Sequence, residues 1–387
     1  MRAYRFIWSR FMAVASPFDH ASRRERLRSL LVTSDLELLV VSRGVHVRYL
    51  TGFTGDSTVL LVGRKQDLLV SDGRYTEQLA RECAGLAAHV RPSSQKLVDA
   101  VPEVIRAQGV NRVGVESASI TLAEMERWRE LLPAVAWKSC QGLVEGLRVV
   151  KDARELQEIQ LAVELAQKAY TTWRHGGFSP GTTEKQASDQ LEFTLRGIGA
   201  QESAFPLIIA GDDGAALPHY HPTAKVLPEN GVLLVDWGAQ TVHGYKSDLT
   251  RTTLLGKGPK PFPQTPELEP AHQAVRTAQM AAIPWLKPGV ECSQVDKAVR
   301  ESLAKVNLEQ YFVHGTGHGF GLEIHEAPWF RHGNPEKLQA GMVVTIEPGV
   351  YFPERWGIRV EDDFLVTPEG GVCLSDLPRG LELGPRS

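Results

Sequence analysis

The chain has 387 residues, of which 42% are hydrophobic and 23% charged, and its formal net charge is -3. That balance describes an ordinary globular protein long enough for two domains, and it excludes the strongly basic surface expected of a partner for nucleic acid or an anionic membrane. The four cysteines, Cys83, Cys140, Cys292 and Cys373, form no CxxC pair. Their spacing argues against a thiolate zinc site or a disulfide framework and fits a reducing cytoplasm.

Residues 1–16 contain an apolar run that Arg5 and Arg10 interrupt before it reaches signal-peptide length, so they are expected to be an extension ahead of a natural start at Met12. Residues 17–148 alternate helical and strand patterns. ASRRERLRSLLV is a basic amphipathic helix; LELLVVS, STVLLVG and QDLLVSD are strands; RYTEQLARECAG, KLVDAVPEVIRAQG and TLAEMERWRELL are helices separated by short strands. This is an α/β unit without a phosphate-binding glycine loop, and YLTGFTGD is expected to be a turn-rich corner. From residue 149 to 387 the texture changes. A long helix, Ala153 to His175, is capped by Asp152 and closed by Gly176 and Gly177, and a second helix spans Glu184 to Gly197. Then follow the strand FPLIIAG, the loop LPHYHPTAK and an acidic hairpin. After a proline-rich linker, Lys257 to Pro270, helices recur around Ala271 to Leu286 and Ser293 to Val306, and strands follow again. The second part therefore presents helix, helix, strands twice, as in two similar halves with a site at their junction.

Each half carries a pair of carboxylates. In GVLLVDWGAQTVHGYKSDLTRT, Asp236 and Asp248 each lie six residues from Val242, so a turn centred there would place them opposite one another. In TIEPGVYFPERWGIRVED, Glu347 and Glu361 each lie seven residues from Glu354. Between the hairpins stands HGTGHGFGLEIH, with His314, His318 and His325. A dinucleotide fingerprint counted from Gly315 fails, because its third-glycine position is Phe320 and no helix opening follows.

Singly, such features are the ordinary composition of turns. Together, Asp236, Asp248, His318, Glu347 and Glu361 offer four carboxylates and one imidazole. If they converge, each carboxylate pair at about 4 Å would repel by roughly 4 kcal/mol at an effective dielectric near 20. Two divalent cations would balance them, and a donor set rich in oxygen with no sulfur favours Mn2+, with Co2+ or Zn2+ as alternatives.

The motifs VDWG, SDLTRT, HGTGHGFGLEIHE, TIEPGVY and IRVED resemble those of the pita-bread metallopeptidases, specifically the Xaa-Pro peptidases (prolidase and aminopeptidase P). The resemblance covers essentially the whole chain. It implies an α/β N-terminal creatinase-type domain, residues 17–148, followed by an α+β pita-bread catalytic domain, residues 149–387. It implies that Asp236 holds one metal, that Asp248 and Glu361 bridge both, and that His318 and Glu347 complete the second. Thr250 resembles the family's threonine beside the metals. His219 resembles a histidine that contacts the substrate, His325 one that stabilises the tetrahedral intermediate, and His314 a wall of the proline pocket. Arg359 and Tyr351 match positions that steady the site.

The implied activity is removal of an N-terminal residue that precedes proline, with Glu347 as proton shuttle and short Xaa-Pro peptides, dipeptides first, as substrates. The first alternative is an aminopeptidase P acting on longer peptides; another is a catalytically silent peptide- or protein-binding module. Two departures from the family pattern stand out. The spacing from Asp236 to Asp248 is one residue longer than expected, and the position four after His325, where some prolidases carry a carboxylate-clamping arginine, is Trp329. Arg43 is the expected substitute clamp, with Arg48 and Arg331 behind it. His221 and His243 are expected to be surface residues. The resemblance further implies a homodimer, while the cysteines point to the cytoplasm and the net charge of -3 gives no reason to expect nucleic acid or membrane as partner.

Overall fold

The computed structural model describes residues 17–257 and 267–381. The expected extension, residues 1–16, and most of the proline-rich linker lie outside the described residues. No described helix is long and apolar enough to cross a membrane. The chain divides into two compact units between Arg148 and Val149.

In the N-terminal unit, a six-stranded sheet runs in the spatial order 87–91, 67–72, 59–63, 38–41, 112–116, 136–140. Its central strand, Leu38–Val41, is buried on both faces, as its unbroken apolar run requires. The helix Gly44–Thr51 is absent from the sequence expectation, because GVHVRYLT has weak helix propensity. Tertiary contacts override it: His46 is fully buried and its Nδ1 meets the Glu116 carboxylate, whose other oxygen accepts the Ser42 and Arg43 N–H groups.

The catalytic-side unit begins with the helix Ala153–Gly176. Asp152 accepts the Glu155 N–H at 2.9 Å and Glu155 returns the bond to the Asp152 N–H at 3.1 Å, so both ends of the first turn are satisfied. Leu156, Ile159, Val163, Ala166, Tyr170 and Trp173 fall on one buried face. Of these, Ala166, Tyr170 and Trp173 pack with the helix Glu184–Gly197 against the strands Ile208–Gly211, Gly231–Trp237 and Leu249–Leu255. Trp237 seats the acidic strand on this helix: its indole N–H donates to the Ala166 carbonyl at 2.9 Å, and its ring stacks on Tyr170 at 4.2 Å.

The second half repeats the plan. Helices Leu268–Ala282 and Cys292–Ala304 pack against a five-stranded sheet ordered 326–330, 317–319, 343–346, 362–367, 370–373. Buried Gln279 reaches from the first of these helices to the Ile346 carbonyl at 3.1 Å and the Asp362 carboxylate at 2.9 Å.

The hairpins differ in how their turns set the register. Strands 349–352 and 356–359 pair Gly349 with Arg359 and Phe352 with Trp356, and further out Val343 pairs with Leu365 and Ile346 with Asp362. All these pairs are symmetric about Glu354, so Glu347 and Glu361 stand opposite each other. In the acidic hairpin Asp236 pairs instead with Thr250, and Gln240 bridges Lys246. The centre is therefore His243 rather than Val242, and Asp248 lies diagonal to Asp236. At the tip, Gly244 supplies a φ of 83° and its N–H donates to the Thr241 carbonyl at 2.8 Å. Gly238 lets the two limbs close, since a Cβ there would lie 1.9 Å from the Ser247 carbonyl oxygen. Gly238→Ala should therefore destabilise the protein by more than about 2 kcal/mol. Thermal melting checks this, and an unchanged Tm would show that the limbs need no such close approach.

Candidate metal centre

Asp236, Asp248, His318, Glu347 and Glu361 all line one cavity of about 470 Å³. Oxygens of Asp248 and Glu361 and an imidazole nitrogen of His318 lie within 4.8 Å of one another. His318 Nε2 is 3.3 Å from Glu347 Oε1 and 3.7 Å from Asp248 Oδ2. The two hairpins meet directly: Thr250 and Glu361 form a backbone bridge, and the Thr250 hydroxyl donates to Glu361 Oε2 at 2.6 Å.

The donors are oriented for a cation. His318 Nδ1–H donates to the Gly319 carbonyl at 3.1 Å, which fixes the tautomer and turns the Nε2 lone pair to the cluster. Burial lowers its pKa to about 4, so the ring is neutral near pH 7. Burial, then the charges of Glu361 and Asp236, push Asp248 well above the ordinary carboxylate range; burial, then Glu347 and Asp236, do the same to Glu361. Burial also raises Glu347. Asp236 Oδ1 is buried without a hydrogen-bond partner among the described residues, while Oδ2 accepts from Arg359 at 2.5 Å. A buried carboxylate oxygen left bare amid raised carboxylates is the donor chemistry of a divalent-cation site, and the residues present fit one.

The other expected site residues fall into three groups. His219, His314, His325 and Arg359 line the cavity, and so does His221, which is exposed as expected of a surface residue. The short PHYH spacing places both of its histidines on one loop, and that was its only sequence signal. Tyr351 does not line the cavity. It stands behind His314, whose Nδ1–H donates to the Gly315 carbonyl at 2.8 Å. The Tyr351 hydroxyl donates to His314 Nε2 at 2.8 Å and accepts from Arg359 at 2.8 Å. Arg43 belongs to the N-terminal unit, where its guanidinium lies 3.8 Å from Glu145. His243 is exposed at the hairpin tip. Sequence reasoning passed over Asp363, a fully buried carboxylate that accepts the Asp248 N–H at 3.1 Å and so fixes the backbone carrying that ligand candidate.

A cavity of carboxylates and histidines at the ends of paired hairpins has the donor chemistry of a metal-dependent hydrolase. Residues 157–368 match metallopeptidase family M24, and residues 23–150 match the Creatinase/Prolidase N-terminal domain. The chain belongs to metallopeptidase family M24 and has the pita-bread catalytic fold. It is 30% identical to the uncharacterized peptidase YqhT of Bacillus subtilis over 92% of this chain and 98% of that one. Among solved structures it resembles the Xaa-Pro dipeptidase from Bacillus anthracis, with a TM-score of 0.87 and 32% identity over 94% of this chain and 100% of that one. It also resembles the X-Pro aminopeptidase from Thermotoga maritima, with a TM-score of 0.84 and 28% identity over 93% and 99%. It is thus a metallo-exopeptidase of a family that uses divalent metals.

Metal removal tests the clustering. The folded, metal-free protein binds protons on Asp248, Glu347 and Glu361 more tightly than the unfolded chain does. The stability that these three groups contribute is therefore fully present below the ordinary carboxylate pKa of about 4 and is lost as pH rises through the raised values. Stripping metal with EDTA should lower Tm, and the gap from reloaded protein should widen between about pH 5 and about pH 8. A gap that is absent, or that narrows with rising pH, would contradict the arrangement.

Proposed function

We propose that the chain is a dinuclear metal-dependent exopeptidase that hydrolyses the bond between an N-terminal residue and a proline in second position. The observation that carries this reading is the meeting of Asp236, Asp248, His318, Glu347 and Glu361 in one cavity with His219, His314 and His325 on its walls. Asp236 would hold one cation, Asp248 and Glu361 would bridge the pair, and His318 with Glu347 would complete the second. The oxygen-rich donor set favours Mn2+, and Co2+ or Zn2+ are compatible with it. When bound, the cations supply a water nucleophile near neutral pH and polarise the scissile carbonyl.

The remaining steps belong to the chain's own residues. Glu347 accepts the attacking water's proton and passes it to the proline nitrogen, which departs as a secondary amine. That nitrogen has no N–H in the substrate, so a peptidase that grips an amide hydrogen there is at a disadvantage. His325, with its pKa lowered first by burial, is a neutral imidazole whose N–H can meet the oxygen that takes charge as the carbonyl becomes tetrahedral. His219 contacts the substrate from its own loop, and His314, held by Tyr351, walls the proline subsite.

Substrate length turns on the peptide's terminal carboxylate. A dipeptide carries it next to the proline, where a cation must meet it. Arg359 is the only arginine or lysine lining the cavity among the described residues, and Asp236, Thr250 and Tyr351 already engage its guanidinium. The wall beside His325 is Trp329, ring to ring at 6.1 Å. These contacts favour the second reading, turnover of longer peptides, over the dipeptides first expected. A dipeptide preference would instead rest on Arg43. The four buried free cysteines support a reducing cytoplasm, and a homodimer follows from the family resemblance.

Two measurements check this. With Mn2+ added, the enzyme should cleave Xaa-Pro substrates, EDTA should abolish the activity, and Glu347→Gln should lower kcat by about 10²- to 10⁴-fold. No turnover by metal-loaded protein would favour a silent binding module. In a length series, Ala-Pro extended by one or two residues should exceed Ala-Pro in kcat/KM by about tenfold, the cost of an unmatched carboxylate. A preference for the dipeptide that disappears in Arg43→Ala would restore the dipeptidase assignment.

A further inference from the structure

Behind His325 lies an ion pair that the chemistry above does not use. Lys151, just ahead of the helix Ala153–Gly176, has a side chain only 1% exposed, and its Nζ is 3.4 Å from Glu326 Oε2. The other carboxylate oxygen, Oε1, accepts the Glu323 N–H at 2.9 Å. The turn from Gly321 to His325 is thus tied at its end by Glu326. At its start, the Lys246 N–H donates to the Gly321 carbonyl at 2.9 Å, and the Gly321 N–H donates to the Glu323 carbonyl at 3.0 Å. The fit is close, for a Cβ on Gly321 would lie 3.1 Å from both Glu326 Oε1 and Lys151 Cε.

His325 needs such support. Its ring opens to the cavity and has no hydrogen-bond partner among the described residues. Its neighbours are rings, His318 at 4.5 Å and Trp329 at 6.1 Å between centroids. With no bond at either nitrogen, the direction of the imidazole is set by the backbone that carries it. Stability alone does not account for the pair behind that backbone, because burying a lysine and a glutamate costs desolvation that two apolar side chains of similar volume avoid.

We propose that the Lys151–Glu326 pair is a positioning device that holds the turn so that His325 points at the reacting carbonyl. The inference rests on the reading of His325 as the group that stabilises the oxyanion. Lys151 and Glu326 touch neither substrate nor metal and act through His325. An interaction realised only in the transition state is read in kcat, so their loss should lower kcat and leave KM nearly unchanged.

The test is a double-mutant cycle on the full-length, Mn2+-loaded enzyme with an Xaa-Pro peptide as substrate. Glu326→Gln keeps the acceptor for the Glu323 N–H and removes only the charge; Lys151→Met removes the other partner. Each should lower kcat about tenfold or more, the scale of effect of a misplaced catalytic group, with KM changed by less than about threefold and bound metal unchanged. In a His325→Ala background the same substitutions should cost little further, because the group they position is gone. Glu326→Gln, the milder change, decides the matter if Lys151→Met does not fold. Wild-type kcat in Glu326→Gln beside an impaired His325→Ala would overturn the brace alone. Additive losses, or a loss of bound metal, would overturn it in favour of a general structural role. Full activity of His325→Ala would overturn the role assigned to His325 and the brace with it.

Discussion

Four carboxylates crowd one buried place, and the surrounding structure is arranged to hold them there against their mutual repulsion. At about 4 Å each like-charged pair costs roughly 4 kcal/mol at an effective dielectric near 20, more than a single hydrogen bond returns. Rigid connections therefore have to carry the ligand candidates. The Thr250–Glu361 bridge joins the two hairpins backbone to backbone. Buried Arg251 reinforces it by donating to the carbonyls of both Thr250 and Glu361 at 2.9 and 2.6 Å, and to Asp362 at 2.7 Å. Asp363 fixes the Asp248 backbone from the other side. Neither Arg251 nor Asp363 lines the cavity, yet each limits how far the carboxylates can move apart.

One guanidinium offsets part of this charge and links it to the substrate side. Arg359 joins Asp236, Thr250 and Tyr351, and Tyr351 passes the connection to His314. Because the Gly315 carbonyl takes the Nδ1 proton, His314 must accept at Nε2, and Tyr351 must donate there. Burial keeps His314 and His318 neutral, which suits one to form a proline wall and the other to offer a lone pair to a cation. His314 and His318 thus contribute directed bonds beside the carboxylates and Arg359 without adding net charge.

Much of this was legible in the chain itself because short-range rules decide it. The capped helix from Asp152 to Gly177 follows from a capping box and a spacing that any helix obeys. The symmetry of the second hairpin about Glu354 follows from turn chemistry, and the φ of 62° at Glu354 marks its tip. The other hairpin was misjudged by one register step, because its tip is set by the positive φ of Gly244 and by the close approach at Gly238, which a count from the midpoint does not reveal. The helix Gly44–Thr51 was missed for the opposite reason: its local propensity is poor, and the His46–Glu116 contact that holds it spans seventy positions of chain.

The site divides along the same line. The five ligand candidates were legible because each stands at a strand end or beside a glycine and carries chemistry that solvent would otherwise neutralise. Asp363 and the Lys151–Glu326 pair were not, since nothing local distinguishes a buried charge from a solvated one. Lys151 and Glu326 are 175 residues apart and meet at 3.4 Å only after both halves of the unit have folded. Desolvating such a pair is unfavourable unless geometry repays it, so its presence beneath a turn whose last residue faces the cavity is a statement about position rather than about stability. Sequence patterns locate the groups that can do chemistry; which of them are held still, and by what, depends on contacts that exist only in the folded chain.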